Sequence, residues 1–250
     1  MGAEVFTQIT RITQIRILSA PLRLCGEPKP HMKITPDWFD RDPCVIAPDL
    51  LGKVLRHKVG GHWLCARIIE IEAYLLEEKG SHASLGWTPK RNALFMPPGT
   101  IYMYYARGGD SFNLSCRGEG NAVLIKSGIL WPWPAPDPAM LQHMQQLNPV
   151  NGRLRPPETL CSGQTLFCQS LDLKVPEWDQ RTFQPGRLEL LDMSEPPPEV
   201  LQTTRLGISP GRDEHLPFRF IDAGFVRHCT KNPLTQRSTA PPVRRYAIEG

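Results

Sequence analysis

Alternation is the clearest signal along the chain. Across residues 64–74 apolar and polar positions change places almost residue by residue, which is the period of an extended strand whose neighbouring side chains point to opposite faces. That spacing puts Ile69 and Ile71 on one face and Glu70, Glu72 and Tyr74 on the other, so two carboxylates and an aromatic ring look out together. Three further strands are predicted over 100–105, 111–117 and 122–127. The breaks Arg107-Gly108-Gly109-Asp110 and Gly118-Glu119-Gly120-Asn121 fold them into an antiparallel meander. Within it Tyr102 and Tyr104 share a face and Met103 takes the other.

Helical spacing is rarer. Pro36-Asp37-Trp38-Phe39 followed by Asp42-Pro43 reads as a helix start, and residues 45–55 carry apolar positions at near-helical intervals, with strand patterning after Gly52. Residues 131–138, Trp-Pro-Trp-Pro-Ala-Pro-Asp-Pro, cannot form a regular element; the Met-, Gln- and Leu-rich stretch from Pro138 to Leu147 suits a short helix. There is no internal repeat. Residues 1–33 read as an N-terminal extension, acid-poor and basic like a transit peptide but with few serines. Residues 34–230 form the expected domain, and 231–250, polar and basic through Lys231, Arg237, Arg244 and Arg245, a flexible tail.

A length of 250 residues with 40% hydrophobic side chains supports one sizeable core and excludes a collagen, coiled-coil or disordered chain. No run approaches the roughly 18 consecutive apolar residues of a membrane helix, and the N-terminus lacks a secretory pattern, so a soluble intracellular protein is expected. Its seven cysteines are odd in number and scattered, with no C-x-x-C pair, which points to reduced thiols rather than a zinc site. The net charge of +4 permits an anionic partner without requiring one.

Several side chains are candidates for chemistry. Glu72 beside Tyr74 is either a partly desolvated carboxylate suited to activating water or one acid of a solvated strand. Tyr74, His82, Tyr102 and Tyr104 are either ordinary sheet aromatics or the walls of a slot for a planar ring, the device that holds a base drawn out of a duplex. Asn113 reads as a polar residue at the start of a pocket strand. Lys126, after Val123-Leu124-Ile125, is either a solvated strand end or a phosphate contact. Glu70 with Glu72 also admits a carbohydrate glycosidase, although two acids on one strand point in parallel instead of flanking a bond.

The run Arg67-Ile-Ile-Glu-Ile-Glu-Ala-Tyr74, then His82, then Thr88-Pro-Lys-Arg-Asn92 and Phe95-Met-Pro-Pro-Gly-Thr-Ile-Tyr-Met-Tyr104, resembles the alkyladenine (3-methyladenine) DNA glycosylase family. Flanking matches lie in the same order: Phe39–Pro43, Leu50–Gly52, Leu160–Gly163, Arg205–Ile208 and Pro217–Phe220. The resemblance covers roughly 35–225. It implies an α+β (mixed) single domain with a curved, largely antiparallel sheet, flanking helices and a protruding DNA-binding hairpin. It also implies a monomer acting on double-stranded DNA that contains damaged purines, in the bacterial cytoplasm and nucleoid or a eukaryotic nucleus.

The implied reaction is excision of 3-methyladenine, 7-methylguanine or hypoxanthine after base flipping, by hydrolysis without a covalent intermediate, a strand-cutting step, a cofactor or a metal. Glu72 matches the family's general base, Tyr74, His82 and Tyr104 the residues that contact the flipped base, and Asn113 the residue that crowds the guanine amine. Two positions depart from the family pattern. Lys126 stands where an arginine is usual, keeping the charge but losing the planar fork. The hairpin sequence Ala106-Arg107-Gly108-Gly109-Asp110 lacks the bulky wedge that fills the gap left by the flipped nucleotide. Arg107 is then expected either to enter the minor groove in its place or to remain a solvated turn residue. A protein that captures damaged DNA without turning it over is the alternative function.

Overall fold

The computed structural model describes residues 31–106, 108–235 and 242–247. Among these residues ten strands form one sheet: β1 (Met32–Lys33), β2 (Val54–Val59), β3 (His62–Tyr74), β4 (Ile101–Ala106), β5 (Gly109–Ser115), β6 (Ala122–Leu130), β7 (Leu188–Asp192), β8 (Val200–Thr203), β9 (Arg219–Asp222) and β10 (Arg244–Tyr246). The main path runs β1-β7-β2-β3-β6-β5-β4, and β9, followed by β8 and β10, branches from β3. Every pairing among the described strands is antiparallel. The fold is thus a mixed α and β single domain built on a large open antiparallel sheet.

Among the described residues four α-helices accompany the sheet: α1 (Pro43–Leu50), α2 (Pro138–Leu147), α3 (Gln164–Ser170) and α4 (Val175–Trp178). The first two start where the sequence places an acid before proline. Asp42 and Asp137 accept from the backbone amides of Cys44 and Met140, and Pro43 and Pro138 fill a first-turn position that needs no amide hydrogen. The near-helical spacing over 45–55 yields helix only to Leu50, because the chain turns at Gly52. That glycine has φ +86°, and a Cβ there would lie 2.5 Å from the Glu195 carbonyl oxygen. A short 3-10 turn, Pro36–Phe39, precedes α1.

Sheet and helices share one apolar core, with Phe39, Ile46, Leu50, Phe112, Phe167 and Trp178 fully buried. Its relation to β3 corrects the simple alternation. Leu64, Ala66 and Ile68 face this core in the first half of the strand, but Ile71 and Ala73 face it in the second, and β6 changes in the same way between Ile125 and Leu130. The register is irregular between Ile68 and Ile71, so the two strands shift parity together and Ile69 does not join Ile71 in the main core. After the shift, Glu70, Glu72 and Tyr74 lie on the face away from it.

The meander forms as β4-β5-β6, with a tighter first turn than the glycines suggested. Ala106 pairs with Gly109, so the second strand begins at Gly109 instead of after Asp110. A Cβ on Gly109 would lie 2.8 Å from Thr165 Cβ, and Asp110 accepts from the Val175 amide at 3.1 Å, so the β5 arm rests on α3 and α4. Arg107 itself lies outside the described residues. Of the segments assigned to the two ends, Met32–Lys33 pairs with β7, and Arg244–Tyr246 pairs with Val200–Gln202 of β8. No helix among the described residues is long and apolar enough to cross a membrane.

Candidate active site

The face of β3 turned away from the main core meets β6 on one side and the segment after β8 on the other. Glu72 sits there with no exposed surface and three donors on its carboxylate. Tyr74, two residues along the same strand, donates its hydroxyl to Oε2 at 2.8 Å. Lys126 Nζ of β6 donates to the same oxygen at 3.3 Å, and the Leu206 backbone amide donates to Oε1 at 3.0 Å. A carboxylate offers about four lone-pair positions. Among the described residues three of these are taken, two on Oε2 and one on Oε1.

Tyr74 is fixed from behind. The Arg205 guanidinium lies 4.5 Å from the Tyr74 ring centroid and 5.5 Å from that of Phe218, donates to the Ala73 carbonyl at 3.0 Å, and pairs with Glu78. Burial, with the neighbouring Glu72 charge next, pushes the Tyr74 hydroxyl well above the usual tyrosine range. It therefore stays protonated and acts as the donor in its bond to Glu72.

In front of this group opens a cavity of about 310 Å³, lined among others by Tyr74, His82, Tyr104, Asn113, Lys126 and Gln164. The size and the mixture of aromatic walls with a few polar groups suit a planar heterocycle. His82 and Tyr104 meet at 4.6 Å between ring centroids, and Tyr102 and Tyr104 at 5.5 Å with their planes 31° apart. His82 Nδ1 is 3.1 Å from the Tyr102 hydroxyl. Although part of the imidazole surface is open to solvent, the burial of the rest lowers its pKa below 6.5, with Arg91 and Arg212 adding to the effect. It is neutral at pH 7. Asn113 Nδ2 donates to the Tyr102 carbonyl at 3.0 Å, which fixes the amide and turns its own carbonyl the other way.

The structure therefore brings Tyr74, His82, Tyr102, Tyr104, Asn113 and Lys126 together around one cavity, with Glu72 directly behind Tyr74 and Lys126 instead of on the open wall. Lys126 is 4% exposed, which removes the solvated-strand-end reading. Tyr102 is equally buried, so its ring supports the cavity from within. Two participants escaped the sequence reading. Gln164 accepts from Lys126 Nζ at 3.0 Å and has no marking in the sequence beyond following Ser162-Gly163. The Leu206 amide is a backbone group; its segment, Arg205–Ile208, was noticed only as a flanking match.

Glu70 has a different part. Its carboxylate takes Arg219 Nε at 2.7 Å, the Ser127 hydroxyl at 2.5 Å and the Thr230 amide at 2.8 Å, all within the protein. Glu70 is fully buried and these partners stand apart from the cavity lining, so it does not face Glu72 as acid and base across a glycosidic bond. Among the described residues no group of three His, Cys, Asp or Glu side chains stands where it could hold a metal ion. The six described cysteines are unpaired, and burial pushes the thiols of Cys65 and Cys161 up to about 12.

An open antiparallel sheet carrying an aromatic, ring-sized cavity against a buried, cation-paired carboxylate is an arrangement suited to a planar group beside an acid. Comparison with known proteins gives that arrangement a family. Residues 37–225 match the family model for methylpurine-DNA glycosylase. A protein of Pseudomonas savastanoi pv. phaseolicola named "Putative 3-methyladenine DNA glycosylase" is 61% identical over 214 residues, covering 85% of this chain and 92% of its own. One of the same name from Pseudomonas aeruginosa is 58% identical over 215 residues, 85% and 90% of the two chains. Another from Koribacter versatilis is 32% identical over 199 residues, 75% and 88%. The chain belongs to the methylpurine-DNA glycosylase family of DNA repair enzymes.

Proposed function

We propose that this protein excises damaged purines, 3-methyladenine and 7-methylguanine and by extension hypoxanthine, by turning the nucleotide out of duplex DNA into the aromatic cavity and hydrolysing its N-glycosidic bond. The observation that carries the reading is the placement of Glu72 immediately behind a ring-sized cavity walled by Tyr74, His82 and Tyr104. Unstacking a base costs a few kcal/mol, which aromatic contacts in such a slot offset. Asn113, its amide held by the Tyr102 carbonyl, is the residue we assign to crowding the exocyclic amine of normal guanine.

Alkylation makes the purine cationic and hence a good leaving group, so the protein has to supply position and a nucleophile. Water donates a hydrogen bond to the remaining lone pair of Glu72 Oε1. As its oxygen bonds to the sugar anomeric carbon, its proton passes to the carboxylate. The C–N bond breaks with its electron pair going to the purine, and the product is an abasic site. The lysine on the cavity wall, Lys126, has its Nζ engaged by Glu72 and Gln164, which favours hydrolysis without strand cleavage. We assign the activity to a monomer acting inside the cell. Arg107, between β4 and β5 in the sequence, is the group we assign to the minor groove; Arg107→Ala is expected to weaken DNA binding and slow excision.

The test is single-turnover release of base from duplex DNA carrying one alkylated adenine or one hypoxanthine, comparing wild type with Glu72→Gln. Release by the wild type and not by the variant supports the reading. Tight lesion binding without release by either protein indicates a capture protein, and a strand break formed without alkali or heat refutes the hydrolytic product.

A further inference from the structure

Gln164 occupies the first position of α3, and its amide is spanned at both ends. Nε2 donates to Ser111 Oγ at 2.7 Å, and Oε1 accepts from Lys126 Nζ at 3.0 Å. The assignment of the two ends follows from chemistry, because an ammonium only donates and must meet the carbonyl end. Ser111 is fully buried on β5. A continuous polar chain therefore runs from Ser111 through Gln164 and Lys126 to Glu72, drawing on β5, α3, β6 and β3 in turn.

A lysine in this place needs outside support. Arginine carries a rigid planar fork that grips two partners in a fixed geometry, whereas lysine ends in a compact charge on a flexible four-carbon stem. At 3.3 Å the Lys126 contact with Glu72 is longer than an ordinary charge-assisted bond of about 2.8 Å. The second anchor holds the ammonium between the two acceptors. Without the amide, the ammonium closes on Glu72 and turns the carboxylate with it, taking Oε1 away from the Leu206 amide and from the water it has to receive.

We propose that Gln164, fixed by Ser111, is a positioning residue for Lys126 and, through Lys126, for Glu72, providing the second anchoring point that an arginine fork would carry by itself. The inference rests on the hydrolytic reading above. Its signature is dependence on the lysine. Gln164→Leu is expected to lower the single-turnover excision rate about tenfold while changing lesion-duplex affinity less than about twofold. In a Lys126→Met background the same change has no further effect, and in a Lys126→Arg background the rate returns to within about threefold of the Lys126→Arg single variant. Equal losses in all three backgrounds, or none in the wild-type background, overturn the proposal.

A second measurement is independent of turnover. The Lys126 ammonium, held by Glu72 and Gln164 in a buried slot, is expected to give a slowly exchanging 1H–15N signal in the wild type that is lost in Gln164→Leu. Persistence of that signal in the variant overturns the positioning role whether or not base is released. Failure of the wild type to release base, with the signal behaving as expected, condemns the hydrolytic reading alone.

Discussion

Lys126 and Glu72 form an ion pair across neighbouring strands, Nζ to Oε2 at 3.3 Å, with side chains 5% and 0% exposed. Glu72 pairs in register with Leu124, so the lysine reaches it from two residues further along β6, on the same face of the sheet. Lys126 lines the cavity and Glu72 lies behind it, both buried, so water screens the pair little.

A buried pair is a modest net stabiliser because desolvation offsets the attraction, but removal of one partner leaves the other stranded. Lys126→Met is therefore expected to lower the unfolding free energy by about 3 kcal/mol and to slow base release about a hundredfold. Lys126→Arg keeps the charge and should retain most of the stability. Urea unfolding at pH 7 measures the first effect; a Lys126→Met protein as stable as wild type would show that Glu72 is not held as a buried anion.

Glu70 offers the contrasting case. Its bonds to Arg219, Ser127 and the Thr230 amide tie β3, β9, β6 and the segment beyond residue 228 together, away from the cavity. Glu70→Gln leaves the fully buried Arg219 without its counter-ion and is expected to cost about 3 kcal/mol. The excision rate per folded molecule should remain within about twofold of wild type, since the carboxylate touches none of the reacting groups. A rate loss matching that of Glu72→Gln, in a variant confirmed as folded, would restore the two-carboxylate mechanism.

The contrast shows what the sequence could reveal. Glu70 and Glu72 have the same residue type, the same strand and the same predicted face, and only the partners opposite them separate a structural acid from a candidate base. Those partners lie 149 residues away in Arg219 and 54 away in Lys126. Local signals performed better where the physics is local: the turn glycines delimited the meander, and the period of two placed Tyr102 with Tyr104 and Glu72 with Tyr74. The parity shift near Ile69 was invisible because it depends on the pairing of β3 with β6 as well as on β3 itself. Gln164 and the Leu206 amide were missed for the same reason, having no distinctive residue pattern and acting only through distant contacts.

Gly128 couples that hidden part of the site to the core. A Cβ there would lie 2.7 Å from Phe167 Cε2 and 3.0 Å from the Arg67 carbonyl oxygen. The carbonyl belongs to the paired strand and cannot yield easily, so Gly128→Ala has to push Phe167, and with it α3, off the sheet. Overpacking of this kind costs about 2 kcal/mol. Because Phe167 is one helical turn from Gln164, a loss of excision rate is expected as well. Thermal unfolding together with single-turnover kinetics checks both, and an unaltered rate in a destabilised protein would separate α3 packing from the site.

His82 gives the site a pH dependence with a definite sign. Burial, reinforced by Arg91 and Arg212, lowers its pKa below 6.5, so the folded chain holds this proton less readily than the unfolded chain. The neutral ring's contribution to stability is complete above pH 6.5 and is lost as the pH falls below that value toward the folded-state pKa. The same titration governs the ligand. A neutral imidazole accepts a cationic alkylated purine beside it, whereas an imidazolium repels one. In the Glu72→Gln background, where the lesion persists, affinity for a cationic lesion should therefore weaken as the pH is lowered from about 7.5 to about 5, and affinity for neutral hypoxanthine should weaken less. Adding His82→Gln should remove the difference between the two lesions. Fluorescence anisotropy titrations across that range decide the matter: parallel pH curves for the two lesions with His82 intact would mean that its ring does not face the bound base.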